Sequence, residues 1–460
     1  MRRQLRTVTL AGCLAMIFIP CTMSPLTTDF VRELGASDLH FGLLSGLPMI
    51  MVALQFAGAF LAGKLHRRKA LFMVMLIGGR LLYLPAALLP SLLPSASREL
   101  LILVFIGCVA MHTAMMHFAT PLWFSWMGDL IPERILNRYW AERHRYLQLT
   151  WAATFLAVAG VAYLANHLSS ALIFPFLATV GVVAGVVDII LFHWVDEPPN
   201  SRTGMRRPWE LFMEPLRHRE YRTFVIFNCS FSGATMLAAA FMQIYVLKVL
   251  LIPRWQASLM WCVIGLGSFF VARFWGRMAD RHGHRPILLI CVALKPLIVV
   301  VFLFVSQPWG PLVLTIAFFF DSMLNAGYYI AMTGYKLKMA PRENRPMFVA
   351  ATLALSGIVG GLAAIAGGWL LRSCEGMSWE FGGRIWINYH LVFLISFLAR
   401  IGCIPMAAAI RETASSTAVT VLAHIWGVWP MRIFMFPVGL LRNQSHPGPP
   451  RSKGAHTREL

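Results

Sequence analysis

The sequence predicts an all-α integral membrane protein in which twelve transmembrane helices form two parallel six-helix repeats. Three observations lead to this fold class: the hydropathy of the chain, the spacing of its apolar windows, and the alternation of its basic loops. Hydrophobic residues make up 58% of the 460 residues and charged residues only 13%, with a mean hydropathy of +0.65. A soluble chain of this length needs far more polar surface.

Twelve windows are long and apolar enough to cross a bilayer, since a spanning helix needs about 20 mostly apolar residues. We number them spans one to twelve. They cover residues 8–30, 40–63, 70–92, 100–128, 147–167, 170–195, 222–250, 256–275, 286–306, 310–335, 346–371 and 387–410. Seven of the eight cysteines lie inside these windows, so the sequence predicts no disulfide framework.

The basic residues lie on alternating loops. Of the 40 Lys and Arg residues, 31 fall in the N-terminus, the loops after even-numbered spans and the C-terminal tail, whereas six fall in the alternate connections. Basic loops of this kind stay in the cytoplasm, so we expect both termini there. The same pattern accounts for the net charge of +20 without nucleic acid, because no basic stripe lies on a soluble domain.

The longest polar break follows span six and divides the chain into two halves. We expect an N-terminal half at 1–195, a cytoplasmic linker at 196–221, a C-terminal half at 222–411 and a cytoplasmic tail at 412–460. The halves are repeats, because the loop after span two aligns with the loop after span eight at an offset of 218 residues. In the tail, residues 418–441 are apolar but contain two prolines and an arginine. We expect a helix in the membrane interface there, with a thirteenth span as the alternative.

The loop after span eight reads GRMADRHGHR. Its pattern is formed by Gly276, Asp280, Arg281, Gly283 and Arg285. The first glycine permits close helix approach, the second turns the chain, and the acid lies among bases at helix ends. This pattern resembles the signature loop of the major facilitator superfamily, and the resemblance covers all twelve spans in organisation. It implies a loop that closes the cytoplasmic side when the carrier faces outward.

The copy of this loop in the first half is incomplete. Ala62 stands at the place of the acid, and the second glycine is replaced as well. We therefore expect an asymmetric gate whose intact lock lies in the second half. The connection from span four to span five also resembles bacterial members of the superfamily. There we expect Asp129 to pair with Arg138 or Arg134, with Arg345 at the place of Arg138 after span ten.

Polar side chains lie at helical spacing on spans one, four, seven and ten, which the resemblance implies line the central cavity. The candidates for solute or proton binding are Asp321, Asn325, Tyr328, His112, His117, Asn228, Ser232, Thr235, Gln243 and Asp29. A charged group within a span is costly, so each is a functional hypothesis. Asp321 is the main candidate for proton coupling. The alternative is that Asp321 accepts a hydrogen bond or pairs with Lys295.

Three further charged residues lie inside spans three, six and nine, namely Arg80, Asp188 and Lys295. We expect Arg80 and Asp188 to form a buried structural pair, because an unpaired charge at this depth costs several kcal/mol. Recognition of an anionic substrate by Arg80 or Lys295 is the alternative.

The resemblance implies a secondary active carrier that moves a small-molecule solute by alternating access between the two halves. We expect no enzyme activity, no cofactor and no metal, because the sequence has neither an ATP-binding loop nor a catalytic motif. The expected partners are membrane lipid, the solute, and a proton or another ion if transport is coupled. We expect a monomer in the plasma membrane of a bacterium, its inner membrane. The alternative is a non-transporting membrane sensor that retains the carrier fold.

Overall fold

The computed structural model describes residues 2–199, 208–340 and 345–410. Within this part of the chain, twelve segments are long and apolar enough to cross a membrane, as the sequence predicts. Their helices are Arg2–Thr22 with Pro25–Glu33, Asp38–Met51 with Leu54–Ala62, Lys69–Leu81 with Tyr83–Leu92, Arg98–Leu130, Glu133–Leu164, Ser170–Leu191, Arg219–Lys248, Arg254–His282, His284–Leu294 with Pro296–Phe304, Gly310–Met339, Arg345–Ser373 and Asn388–Ala408. The expected interfacial helix at 418–441 lies outside the described residues.

Four spans consist of two helices each, and proline accounts for two of the breaks. Pro25 begins the second helix of span one after the N-cap residue Ser24. Pro296 begins the second helix of span nine. Proline has no backbone N–H to continue the hydrogen-bond ladder and fits best in a first helical turn. The helix of span five begins at Glu133, well before its predicted window, because its polar first turns extend beyond the apolar segment.

Two elements outside the spans were not predicted. A short helix, Pro208–Arg217, lies within the expected linker. An antiparallel hairpin of strands β1, Ser378–Phe381, and β2, Arg384–Ile387, joins spans eleven and twelve. Its turn residues Gly382 and Gly383 have φ angles of 63° and 73°, which the tightest hairpin turns require. The glycine pair between alternating apolar residues was the sequence signal for this turn.

We call the side of the molecule with the basic loops, after spans two, four, eight and ten, the basic face, and the other side the opposite face. Towards the opposite face, one cluster of buried apolar side chains includes both halves, for example Phe30 and Phe41 together with Leu247 and Phe302. Towards the basic face, each half has a cluster of its own among the described residues. The halves therefore share a core on one side of the membrane only.

Candidate functional site

Arg254 joins the two halves at the opposite face. It begins span eight, is only 8% exposed, and its guanidinium Nη1 lies 3.4 Å from Asp29 Oδ2 of span one. The same nitrogen donates to Ser170 Oγ of span six at 2.8 Å and lies 3.9 Å from Glu33 Oε1. Nη2 donates to three carbonyl oxygens of the N-terminal half, those of Ala165, Asn166 and Leu168. We call this set the Arg254 cluster.

Asp38 forms a second contact between the halves at the opposite face. Its carboxylate accepts a hydrogen bond from Tyr389 Oη of span twelve and lies 3.6 Å from Lys248 Nζ of span seven. The two halves align at an offset of 218 residues. By that offset, Lys248 lies within two residues of the position equivalent to Asp29, and Arg254 lies within two residues of the position equivalent to Asp38. The two contacts are therefore related by the internal repeat, with the acids on one half and the bases on the other.

Glycines bring spans two and eleven together beside these contacts. A Cβ atom on Gly46 would lie 2.6 Å from the carbonyl oxygen of Gly361, and one on Gly42 would lie 3.1 Å from Gly368 Cα. No side chain fits at such distances, so the glycines permit direct backbone contact between the halves. The opposite face is thus closed by packing as well as by charge.

The signature loop at the basic face has the turn that the sequence predicts. Gly283 ends the helix of span eight with a φ angle of 87°, a conformation that favours glycine. Arg285 donates to the carbonyl oxygen of Ala408 at the end of span twelve, within the same half. Arg281 and Asp280 are exposed, and Asp280 makes no ion pair with any residue that the structure describes. A Cβ atom on Gly276 would meet open space.

The equivalent loop after span two is anchored more firmly than its incomplete motif suggests. Arg68 has no exposed surface; its side chain lies 2.8 Å from Asp129 Oδ2 and donates to Ser125 Oγ at 2.6 Å. Glu197 accepts hydrogen bonds from the backbone N–H groups of Arg68 and Lys69. This loop is fixed to span four and to the first residues of the linker after span six, and these contacts do not reach the C-terminal half.

Asp129 has a partner that the sequence did not indicate, and its expected pairing with Arg138 or Arg134 stays a prediction. The carboxylate contacts Arg68, which lies nearby because the loop after span two folds under span four. A pairing argument based on helical spacing considers only residues close in sequence and so missed it. The side chains of Arg134, Arg138 and Arg345 lie outside the described residues.

Span ten contributes a polar cluster in the membrane. Asn325 Nδ2 donates to Asp321 Oδ2 at 2.7 Å, and Lys295 Nζ of span nine donates to Asn325 and lies 3.6 Å from Asp321 Oδ1. Arg400 of span twelve, 2% exposed, donates to the carbonyl oxygens of Lys295 and Thr235. Among the described residues, Lys295 is therefore the cation that contacts this carboxylate. The expected contact between Asp321 and Lys295 is present, and Asn325 is exposed at its edge.

In the N-terminal half, Arg80 Nη1 donates to Asp188 Oδ2 and to the carbonyl oxygen of Gly185. This is the buried pair that the sequence predicts, with both side chains nearly inaccessible to solvent. His112 of span four is buried beside it, with ring centroids 5.0 Å from Tyr83 and 5.3 Å from Phe18. The charges of Arg80 and Asp188 therefore balance.

Several other candidates bind neighbouring helices. His117 Nδ1 is 2.8 Å from Gln55 Nε2 of span two, and Gln243 Oε1 accepts from Trp261 of span eight at 2.8 Å. Ser232 donates to the carbonyl oxygen of Ser356 on span eleven. Three candidates remain on spans seven and ten. On span seven, the side chain of Asn228 and the hydroxyl of Thr235 are buried. On span ten, the ring centre of Tyr328 lies 5.1 Å from that of Phe231.

Four basic residues of these contacts were not among the sequence candidates, namely Arg68, Lys248, Arg254 and Arg400. Lys248 ends the helix of span seven and Arg254 begins that of span eight, positions at which a basic residue normally faces solvent and gives no signal. Arg400 lies inside an apolar window, so its position in the membrane was the available signal. Asp29, expected to line the cavity, lies instead in the Arg254 cluster and also binds Arg32.

The chain was compared with known proteins. A sequence comparison with curated proteins finds no match. Among solved structures, a mutant of the nucleoside transporter NupG superposes with a TM-score of 0.68 at 13% identity, covering 89% of this chain and 100% of that one. The D-xylose-proton symporter superposes with a TM-score of 0.63 at 14% identity, covering 90% and 98%. The inward open conformation of XylE from E. coli gives 0.61 at 14% identity, covering 91% and 98%.

Identities this low establish the shared fold and nothing about the solute. Membership of a family rests on a different finding, because the family model of the Major Facilitator Superfamily matches residues 8–364, more than half of the chain. The twelve spans and the turn at Gly283 agree with that match. The chain therefore belongs to the Major Facilitator Superfamily.

Proposed function

We propose that this secondary carrier, which works by alternating access, is closed at the opposite face in this structure. Its solute site is then reached from the basic face. One observation carries this proposal: charged side chains of one half bind the other half at the opposite face, while the cores of the halves are separate at the basic face. Two halves that rock about a site near the midplane alternate in this way.

The basic face is the cytoplasmic one in this proposal. Basic loops favour the cytoplasm, and that orientation puts both termini there, in the inner membrane of a bacterium. The carrier acts as a monomer, because each alternation needs only the two halves of one chain. The comparisons lend no support to a non-transporting sensor, and a transporter rather than an enzyme is the class that the family indicates.

Asp321 is the site of proton coupling. Its carboxylate lies 3.6 Å from Lys295 Nζ of span nine and accepts a hydrogen bond from Asn325, which is exposed. A carboxylate that exchanges a proton changes its attraction for the lysine, and this charge change links protonation to the arrangement of spans nine and ten. The D-xylose-proton symporter is a proton-coupled protein with the same fold.

Uptake into proteoliposomes tests this function. Purified full-length protein is reconstituted, a mixture of metabolites is added outside the vesicles, and the solutes that enter are identified by mass spectrometry over a range of pH. We expect flux of at least one solute class that protein-free vesicles lack, with a rate that depends on pH. Binding of solutes without any flux would instead favour the sensor.

Asp321→Asn separates coupling from transport. Asparagine keeps a hydrogen-bond acceptor for Asn325 but does not titrate, so solute exchange should continue while its dependence on pH is lost. Glu380→Gln is the matched control, because Glu380 is an exposed acid of the hairpin. A pH dependence that survives in Asp321→Asn would rule out Asp321 as the proton site.

A further inference from the structure

A cavity of about 410 Å³ lies within the N-terminal half, between spans one, three, four, five and six. Its walls are formed mainly by aliphatic, methionine and aromatic side chains, among them Phe18, Phe72 and Trp123. This volume is in the range of pockets that enclose small ligands, and a largely apolar wall with a few polar groups is typical of such pockets. Three charged residues line the cavity, namely Arg80, Asp188 and Arg143.

Arg143, at the start of the membrane segment of span five, is held by aromatic rings. Its guanidinium carbon lies 5.2 Å from the ring centre of Trp123 and 5.3 Å from that of Trp140. These contacts hold the guanidinium beside the two rings and give its N–H groups no oxygen acceptor. Within the described part of the chain, none of those N–H groups has a hydrogen-bond or ion-pair partner, and Nε is buried.

Gly12 of span one provides the space for this arginine. A Cβ atom at residue 12 would lie 2.5 Å from Arg143 Nη2 and 3.0 Å from Leu147 Cδ1. Any larger residue would therefore displace the guanidinium from its place against the tryptophans. The position of Arg143 in the cavity is thus built by residues of three spans.

The charges in the cavity do not balance. Arg80 and Asp188 neutralise each other, which leaves the positive charge of Arg143 uncompensated among the described residues. A buried or half-buried cation without a partner is costly, and a bound anion offsets that cost. A guanidinium with free edge donors binds a carboxylate or a similar oxyanion through two parallel hydrogen bonds.

We propose that this cavity binds a small organic anion with an apolar body, and that Arg143 holds its anionic group. The site rests on the carrier function proposed above and supplies the contacts of the N-terminal half to a solute of this class. Arg143 recognises the charge, while the aromatic and methionine walls contact the apolar body. A free organic anion is the proposed ligand, and a lipid headgroup with the same oxyanion chemistry is the alternative that the experiment distinguishes.

Binding of benzoate to the full-length protein in phosphatidylcholine nanodiscs tests this site. Benzoate joins a flat ring to one carboxylate, benzenesulfonate offers a second oxyanion, and benzamide is the neutral counterpart of similar shape. We expect both anions to bind and benzamide to bind at least about tenfold more weakly, since charge-assisted hydrogen bonds are the stronger kind.

Four variants test whether benzoate binding depends on the Arg143 guanidinium. Arg143→Gln should weaken benzoate binding about tenfold or more. Arg143→Lys should retain part of the affinity, because it keeps the charge but not the paired donors. Gly12→Ala should weaken binding without any change of charge. The matched control is Arg145→Gln, an exposed arginine two residues further along the same helix, which should bind like the wild type. Thermal melting of each variant excludes misfolded samples.

Equal benzoate affinity in the wild type and Arg143→Gln, or no binding of either anion, would overturn the site. Nanodiscs with added phosphatidylglycerol identify the alternative ligand: an Arg143-dependent effect of this lipid, without binding of either free anion, would also overturn it. The proteoliposome assay separates the two proposals. Flux of solutes without Arg143-dependent anion binding contradicts this site alone, whereas Arg143-dependent binding without flux contradicts the carrier alone.

Discussion

At the opposite face, charged side chains of one half bind groups of the other half, whereas Arg68 and Arg285 at the basic face bind groups of their own half. Arg254 reaches a carboxylate, a hydroxyl and three carbonyl groups across the boundary. Asp280, in the loop that matches the family motif, is exposed. The residues that hold the halves together in this state are therefore not those of the motif.

This difference shows that a motif and a lock need not coincide in a single conformation. The signature loop is implied to close its face when the carrier faces outward, and the structure has the other face closed. The Arg254 and Asp38 contacts are related by the same repeat that produced the two loops. We propose that each face has its own set of polar contacts between the halves and that the carrier alternates between them.

The largest loss of uptake is expected from substitution of Arg254. Arg254→Gln leaves Asp29 without its cation across the boundary and removes donors from several buried oxygens, at a cost on the order of 3 kcal/mol to the closed state. Net uptake should fall at least about tenfold, since the carrier is then driven away from this state. Lys248→Gln is the matched control: Lys248 is 46% exposed and its pair with Asp38 contributes below about 1 kcal/mol. Equal loss of uptake in both variants would contradict the ranking.

A smaller effect than at Arg254 is expected at Arg68, and it concerns the stability of the fold rather than the balance between states. Arg68→Gln breaks its ion pair with Asp129, which is 43% exposed, and should cost about 2 kcal/mol of stability in the N-terminal half. The melting temperature should fall, while the reactivity of cysteines introduced at the opposite face should remain as in the wild type. A change in that reactivity would mean that Arg68 acts on the balance between states.

The smallest effect on stability is expected at Asp280. Asp280→Asn should leave the melting temperature unchanged, because the carboxylate is exposed here, yet slow transport several-fold by weakening the state closed at the basic face. Ala62→Ser is the control in the other loop. Only a small substitution is informative there, because Ala62 is 4% exposed in a packed cluster and a bulky residue would overpack it. A larger loss of uptake in Ala62→Ser than in Asp280→Asn would contradict the predicted asymmetry of the loops.

Much of the fold followed from the sequence because the bilayer imposes a length and an apolar character on every span. The twelve spans were predicted in this way, whereas the turn at Gly283 was predicted from the second glycine of the loop motif. The pair between Arg80 and Asp188 was also predictable, since two opposite charges at similar depth have few other partners.

The contacts between the halves were not predictable by the same reasoning. Arg254 and Lys248 lie at the ends of their spans, and only the packing of spans one, two, seven and eight brings them against Asp29 and Asp38. The pair between Arg68 and Asp129 likewise joins residues far apart in sequence. Arg143 was one basic residue among several in its loop, and its free edge donors became evident only from the cavity.

Distances across both faces, measured in the same molecule, decide whether the halves rock as rigid units. Spin labels at His167 and Leu251 report on the opposite face, and labels at His66 and Glu220 report on the basic face, in a background without the eight native cysteines. In Arg254→Gln we predict that the distance across the opposite face lengthens and the distance across the basic face shortens. Lengthening at the opposite face with no change at the basic face, or no change at either, would contradict alternating closure by the two sets of contacts.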